Sequence, residues 1–166
     1  DVGHDVLCID SDKKKIEELS KGQVPIYEPA LEVLLKANIE AQRLTFSNDV
    51  AHGVDSADIV FSALPHVSSA EKLAPLVRQG VKAVDISGDF RLKEKGEYEV
   101  WYKSDHAAPD LLQEAVYGLP EIHRNAIRDA KLIAAPGCYP TSILLPTIPL
   151  LRAGLIKPTG IIADSL

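Results

Sequence analysis

Short apolar runs alternate along the chain with longer stretches in which apolar side chains recur every three or four positions. The first run, Asp5-Val6-Leu7-Cys8-Ile9-Asp10, reads as a strand ending in an acid. Ser11 or Asp12 then caps a helix from Lys13 to Leu19, closed by Gly22. An extended segment, Gln23 to Ala30, precedes a helix carrying Leu31, Leu34, Leu35 and Ile39 on one face. Arg43 to Ser47 is a short strand, and Asn48 or Asp49 opens a helical turn toward Ala57. The run from Asp58 to Ala63 has the continuous apolar character of a buried strand and stops at Pro65. Ser68 or Ser69 caps a helix over Ala70 to Gln79 that Gly80 ends, and Val81 to Ser87 is the next strand. Near the end, Leu132 to Ala135 meets the turn Pro136-Gly137, Cys138 follows, and Ile143-Leu144-Leu145 carries on as helix.

Strands alternating with helices through short loops predict parallel βαβ units and an α/β fold, a doubly wound parallel sheet of Rossmann type. In such sheets ligands gather beyond the strand C-terminal ends. Leu64, Pro65, His66, Ser87 and Cys138 all fall there, and the first four border a cofactor in this reading. Asp10, at the tip of the first strand present, is placed to hydrogen-bond an adenosine ribose, or else it caps the strand end. The glycine-rich turn belongs about 20 residues before such an acid, and here only Asp1 to Ile9 precede it. The expected sheet therefore lacks its first strand and glycine loop, so the strands that would flank that position either pair directly or the chain folds poorly.

Cys138 sits where free helix N–H groups and the positive end of the helix dipole favour thiolate, the condition for a nucleophile. The competing expectation is a small buried hydrophobe. Composition narrows the classes: 46% hydrophobic and 25% charged residues are globular values, and 166 residues suffice for one core. A net charge of −6 argues against nucleic acid and anionic membranes as partners. Two isolated cysteines support neither a disulfide framework nor a metal site. No apolar run approaches a membrane span of about 20 residues, and a cytoplasmic setting is expected. There is no methionine, and the chain opens on Asp1 and stops within an apparent strand after Gly160, so it reads as a fragment.

Two sets of motifs go further. Gly3-His4-Asp5-Val6 through Asp10, Lys21-Gly22, Pro25-Ile26-Tyr27-Glu28-Pro29 with Leu31, and Arg43-Leu44-Thr45-Phe46 resemble the N-terminal domain of the UDP-glucose/GDP-mannose dehydrogenase family. Ala63-Leu64-Pro65-His66, Asp85-Ile86-Ser87-Gly88-Asp89-Phe90-Arg91-Leu92, Trp101-Tyr102, His106, Val116-Tyr117-Gly118-Leu119-Pro120-Glu121 and Pro136-Gly137-Cys138-Tyr139-Pro140-Thr141 resemble, in order, N-acetyl-gamma-glutamyl-phosphate reductase. Gly88, where that family's pattern suggests alanine, and Ser142 are small departures. The two patterns meet near 58–64, which reads as a chimera. Residues 1–150 are then a dinucleotide-binding domain and 151–166 the start of a truncated substrate or dimerisation domain.

The reductase resemblance implies that Cys138 attacks an acyl phosphate, that phosphate leaves, and that NADPH reduces the thioester to a semialdehyde, a step of arginine biosynthesis. It implies a catalytic histidine beyond the cysteine, yet no histidine follows His123. Little turnover is therefore expected from these residues alone. Arg91 either binds the substrate carboxylate or phosphate as a fork or makes a surface contact with Asp89. Glu121 holds a loop, Tyr117 is core, and His106 and His123 make structural hydrogen bonds. The family's cofactor is NADP, but Asp10 would repel its 2′-phosphate and favours NAD. The alternatives are an NAD-binding fragment of a nucleotide-sugar dehydrogenase and a non-catalytic Rossmann-like fragment. The expected partner is a small acyl phosphate, with homo-oligomer formation left open.

Overall fold

The computed structural model describes residues 3–24, 26, 28, 30–55 and 57–164. The chain divides into two compact units, Asp1–Ala57 and Asp58–Leu166. In the first, strand β1 (Val6–Ile9) leads to helix α1 (Lys13–Ser20), then α2 (Leu31–Glu40), β2 (Leu44–Ser47) and α3 (Val50–Asp55). Asp12 caps α1 by accepting from the amides of Lys14 and Lys15, and Gly22 takes the positive φ (+73°) that ends the turn. Strands β1 and β2 pair in parallel, Val6 against Leu44. Pro25, Tyr27 and Pro29 of the Pro-Ile-Tyr-Glu-Pro segment lie outside the described residues. Among those described, only Gly22 and Gly53 are buried in this unit. A two-stranded sheet with so little covered surface is marginal by itself.

The second unit runs β3 (Ile59–Ser62), α4 (Ser68–Arg78), β4 (Lys82–Asp85), α5 (Lys95–Tyr102), a 3₁₀ turn (Pro109–Leu111), β5 (Val116–Tyr117), α6 (Pro120–Asp129), β6 (Leu132–Ala134) and α7 (Cys138–Arg152). Its four strands are parallel in the order β3-β4-β6-β5. The core lies here: Ala70, Leu73, Ala74 and Val77 of α4 pack with Ala83, Phe90, Leu111, Leu112, Leu132 and Ala134.

Four expectations change. Strands form two parallel sheets, one in each unit, instead of one. β3 is not fully buried: it lies at a sheet edge, where Ile59 and Phe61 are exposed and Ser62 is buried. Residues 161–164 form no strand. Finally, neither Ser68 nor Ser69 caps α4. The Asp89 carboxylate does so from the far side of β4, accepting from the amides of Val67 at 2.9 Å and Ala70 at 2.8 Å. It also accepts from the Tyr98 hydroxyl at 2.8 Å.

Asp89→Ala leaves those three donors without an acceptor in the interior and should lower stability in urea unfolding by about 3 kcal/mol or more. Asp110→Ala, which cuts the exposed pair with Arg78, should cost no more than about 1 kcal/mol.

Candidate active site

Two carboxylates with no solvent exposure, Asp85 and Asp89, build the floor beneath the strand ends of the second unit. Asp85 accepts from the hydroxyls of Ser69 at 2.5 Å and Ser87 at 2.8 Å, and from the Ser87 amide at 3.1 Å. The Ser69 hydroxyl also meets that of Ser62 at 2.7 Å. One chain of polar contacts thus links the end of β3, the first turn of α4, and the end of β4. The Ser87 hydroxyl accepts in turn from the Asp89 amide at 3.1 Å. Burial, with the Asp89 carboxylate beside it, pushes the Tyr98 phenol above its ordinary pKa. His106 is buried and bonded through both nitrogens, to the Asp89 carbonyl and from the Ala108 amide. Because Nδ1 accepts, Nε2 carries the proton and donates.

Above this floor, β6 ends at Ala134 and Ala135-Pro136-Gly137 turns the chain into α7. Gly137 is the N-cap and Cys138 the first helical residue, with an exposed side chain. The Gly137 carbonyl accepts from both the amide and the hydroxyl of Thr141, starting the helix. Pro140, early in α7, gives up an N–H that has no intrahelical acceptor in the first turn. Arg91 reaches this turn: Nε donates to the Ala135 carbonyl at 2.8 Å and Nη2 to the Ile86 carbonyl at 2.9 Å. The contact with Asp89 weighed for Arg91 gives way to these bonds, since Asp89 is spent on α4 and Tyr98. A cavity of about 880 Å³ lies against α7, with Cys138, Tyr139 and Ser142 at one end and Leu150, Ile161 and Asp164 among its walls.

The other expected site residues are distributed between the units. In the first, Asp10 accepts from the Asp12 amide at 3.0 Å and from Lys15 Nζ at 2.5 Å. These two donors hold its carboxyl below the ordinary range, the amide first. Leu64, Pro65 and His66 form the exposed loop after β3, and Ser87 is buried with its hydroxyl engaged as above. The His66 ring meets Tyr102 edge-on at 5.5 Å, and Tyr102 stacks on Tyr98 at 4.6 Å. Burial raises the pKa of Tyr117. Sequence reasoning missed Tyr102 as a neighbour of this region. Its signals were the Trp101-Tyr102 motif and Gly88: a Cβ at Gly88 would come within 2.4 Å of the Tyr102 hydroxyl, so an alanine there requires that ring to shift. The Lys93 ammonium donates to the carbonyls of Leu112, Gln113 and Ala115.

Parallel strands alternating with helices define a Rossmann-like α/β fold, and the family matches are to NAD(P)-binding oxidoreductase domains. Residues 1–85 match the UDP-glucose/GDP-mannose dehydrogenase family, NAD binding domain, and the chain belongs to that family over this half of its length. The chain is also homologous to N-acetyl-gamma-glutamyl-phosphate reductases. It is 51% identical to that of Magnetococcus marinus over 117 residues, 70% of this chain and 34% of the relative. To that of Heliobacterium modesticaldum it is 51% identical over 119 residues, 72% of this chain and 34% of the relative. It thus spans about a third of the length of the curated relatives it matches. The stretches of 85 and 117 residues together exceed the chain, so the two matches overlap. A UDP-glucose dehydrogenase from Pyrobaculum islandicum superposes with a TM-score of 0.51 and 17% identity, covering 92% of this chain and 45% of that one. That likeness shows the fold alone.

The two thiols differ in environment. Cys8 is half-buried, and burial raises its pKa, which lowers its thiolate fraction near neutral pH. At pH 8 iodoacetamide should therefore label Cys138 about tenfold faster than Cys8, read by peptide mass spectrometry.

Proposed function

We propose that Cys138 is the acyl-accepting nucleophile of an NADP-dependent N-acetyl-gamma-glutamyl-phosphate reductase, of which residues 58–166 form the part carrying the cysteine. The observation that carries this reading is the exposed thiol on the first residue of α7, just after the end of β6 and at one end of a cavity lined by α7 and residues 161–164. It stands within a chain half identical to reductases over most of its length. In the first half-reaction the Cys138 Sγ lone pair forms a bond to the acyl carbon, and the C–O bond to phosphate breaks. Phosphate departs with that electron pair, leaving a thioester. Arg91 stands beside the turn, and because its Nε and Nη2 donate to the Ala135 and Ile86 carbonyls it acts on the turn and not as a fork on the substrate.

A reduced nicotinamide, when bound, supplies the hydride that converts the thioester to aldehyde and releases the thiol. The chain's residues fit one end of that cofactor only. Asp10 suits an adenosine ribose, while residues 1–166 contain no glycine-rich cradle for a pyrophosphate. Leu64, Pro65 and His66 are exposed after β3, where a cofactor could pass, whereas the Ser87 hydroxyl is buried and engaged by Asp85, which removes it as a cofactor ligand. The acid Asp10, paired with Lys15, favours NAD over NADP. The histidine that the reductase resemblance places after the cysteine has no counterpart in 139–166, so these residues provide the acylation step and not full turnover. A cytoplasmic setting follows from the same reading. The match of residues 1–85 favours a second reading, an NAD-binding module of a nucleotide-sugar dehydrogenase that does no chemistry at Cys138.

Acetyl phosphate separates the two. Cys138 should gain an acetyl group, seen as a mass increase that Cys138→Ala abolishes, and an alkylatable but never acylated thiol favours the second reading. For the cofactor, Asp10→Ala should abolish saturable NADH binding by fluorescence titration, and tighter binding of NADPH than NADH to the unmodified chain would overturn the NAD preference.

A further inference from the structure

We propose that Arg91 is the positioning residue of the nucleophile turn, a side-chain clamp that ties the exit of β6 to the exit of β4. It rests on the reading of Cys138 as acyl acceptor. The β4–β6 ladder pairs Ala83 with Leu132, Val84 with Ile133 and Asp85 with Ala134. Its last backbone bond runs from the Ala135 amide to the Asp85 carbonyl at 2.8 Å. Beyond it the two chains part, one toward Phe90 and the other toward α7, and main-chain pairing ends.

Arg91 takes over there. The two carbonyls it holds, of Ile86 and Ala135, each belong to the residue just past a strand end. A planar guanidinium satisfies both at once from fixed positions, which a lysine ammonium does not reproduce. Holding the Ala135 carbonyl orients the peptide into Pro136, whose φ is set by its ring and which has no N–H to anchor it otherwise. Gly137 then follows at φ −73°, ψ 160°, and Cys138 begins the helix. Gly137 also makes room for the clamp: a Cβ there would lie 3.3 Å from Arg91 Nη1, tighter than ordinary contact. Its φ is one that any residue adopts, and a side chain there would make the guanidinium and the Pro140 ring give by a few tenths of an ångström. Arg91 is itself seated by its buried neighbours Asp89 and Phe90. The aim of Cys138 therefore descends from the buried carboxylate floor through one side chain.

The test uses the full chain carrying Cys8→Ser, with and without Arg91→Lys, which keeps the charge and removes the fork. Acetyl phosphate demands a directed attack, whereas iodoacetamide tolerates many approaches. The ratio of acylation to alkylation rates at Cys138 should fall about tenfold in Arg91→Lys, and an unchanged ratio overturns the proposal. Amide hydrogen exchange gives a reading that needs no acyl transfer. Exchange at Ala135 should rise about tenfold in Arg91→Lys while Ala83, bonded to the Lys131 carbonyl at the far end of the ladder, stays protected. No change at Ala135, or an equal rise at both, overturns the clamp. Gly137→Ala, which presses on Nη1, should shift the same two readings in the same direction by a smaller factor. If the unmodified chain is alkylated but never acylated, the acyl-transfer reading fails by itself and the exchange result alone decides the clamp.

Discussion

The second unit depends on two carboxylates that have no contact with water. Asp85 and Asp89 lie four residues apart, at and just beyond the end of β4, and among the described residues no basic side chain is bonded to either. Each is satisfied by neutral donors: three from serines for Asp85, and two backbone amides and a phenol for Asp89. A buried charge is tolerable only when its acceptor capacity is filled in this way. Its requirement then dictates the surroundings. The first turn of α4 must open toward Asp89, Ser69 must face Asp85, and Tyr98 must bring α5 over the loop.

That arrangement gives the strand ends a rigid floor. Ser87, His106 and Tyr98 are spent on it, so their polar groups serve the architecture beneath the site. Arg91 leaves the same loop and carries its order upward to the turn before Cys138. Gly88 shows how closely the layers fit, since its missing side chain is the space that the Tyr102 phenol occupies. The thiol remains exposed at the end of this series of contacts, on the side of α7 that lines the cavity.

The two units contrast in how they are held. The first has an acid bonded to Lys15 at the tip of β1 but buries only glycines among its described residues, and its two strands share one ladder. The second buries a continuous cluster between α4 and a four-stranded sheet. The division at Ala57 lies inside the stretch 1–85 that matches the dehydrogenase NAD binding domain, so that match extends past the first unit into β3, α4 and β4 of the second. Edge strands β1 and β3 each keep one side without a ladder among the described residues.

Local chemistry was legible in the sequence. The Asp12 cap, the Gly22 and Gly80 stops, the alternation of strands and helices, and Cys138 at a strand-to-helix turn all follow from contacts within a few residues. Periodicity and turn residues report such short-range preferences directly. What the sequence alone could not determine was where side chains distant in the chain would meet. The cap of α4 comes from Asp89, some twenty residues on, and Ser69, one of the two serines that looked like caps, turns to Asp85 instead. Arg91 bonds to Ala135 across 44 positions. The exposure of β3 reflects its place at the edge of its sheet, which an apolar run cannot reveal. Those outcomes belong to tertiary structure, because a buried carboxylate or guanidinium takes whichever partners the packed strands bring within reach.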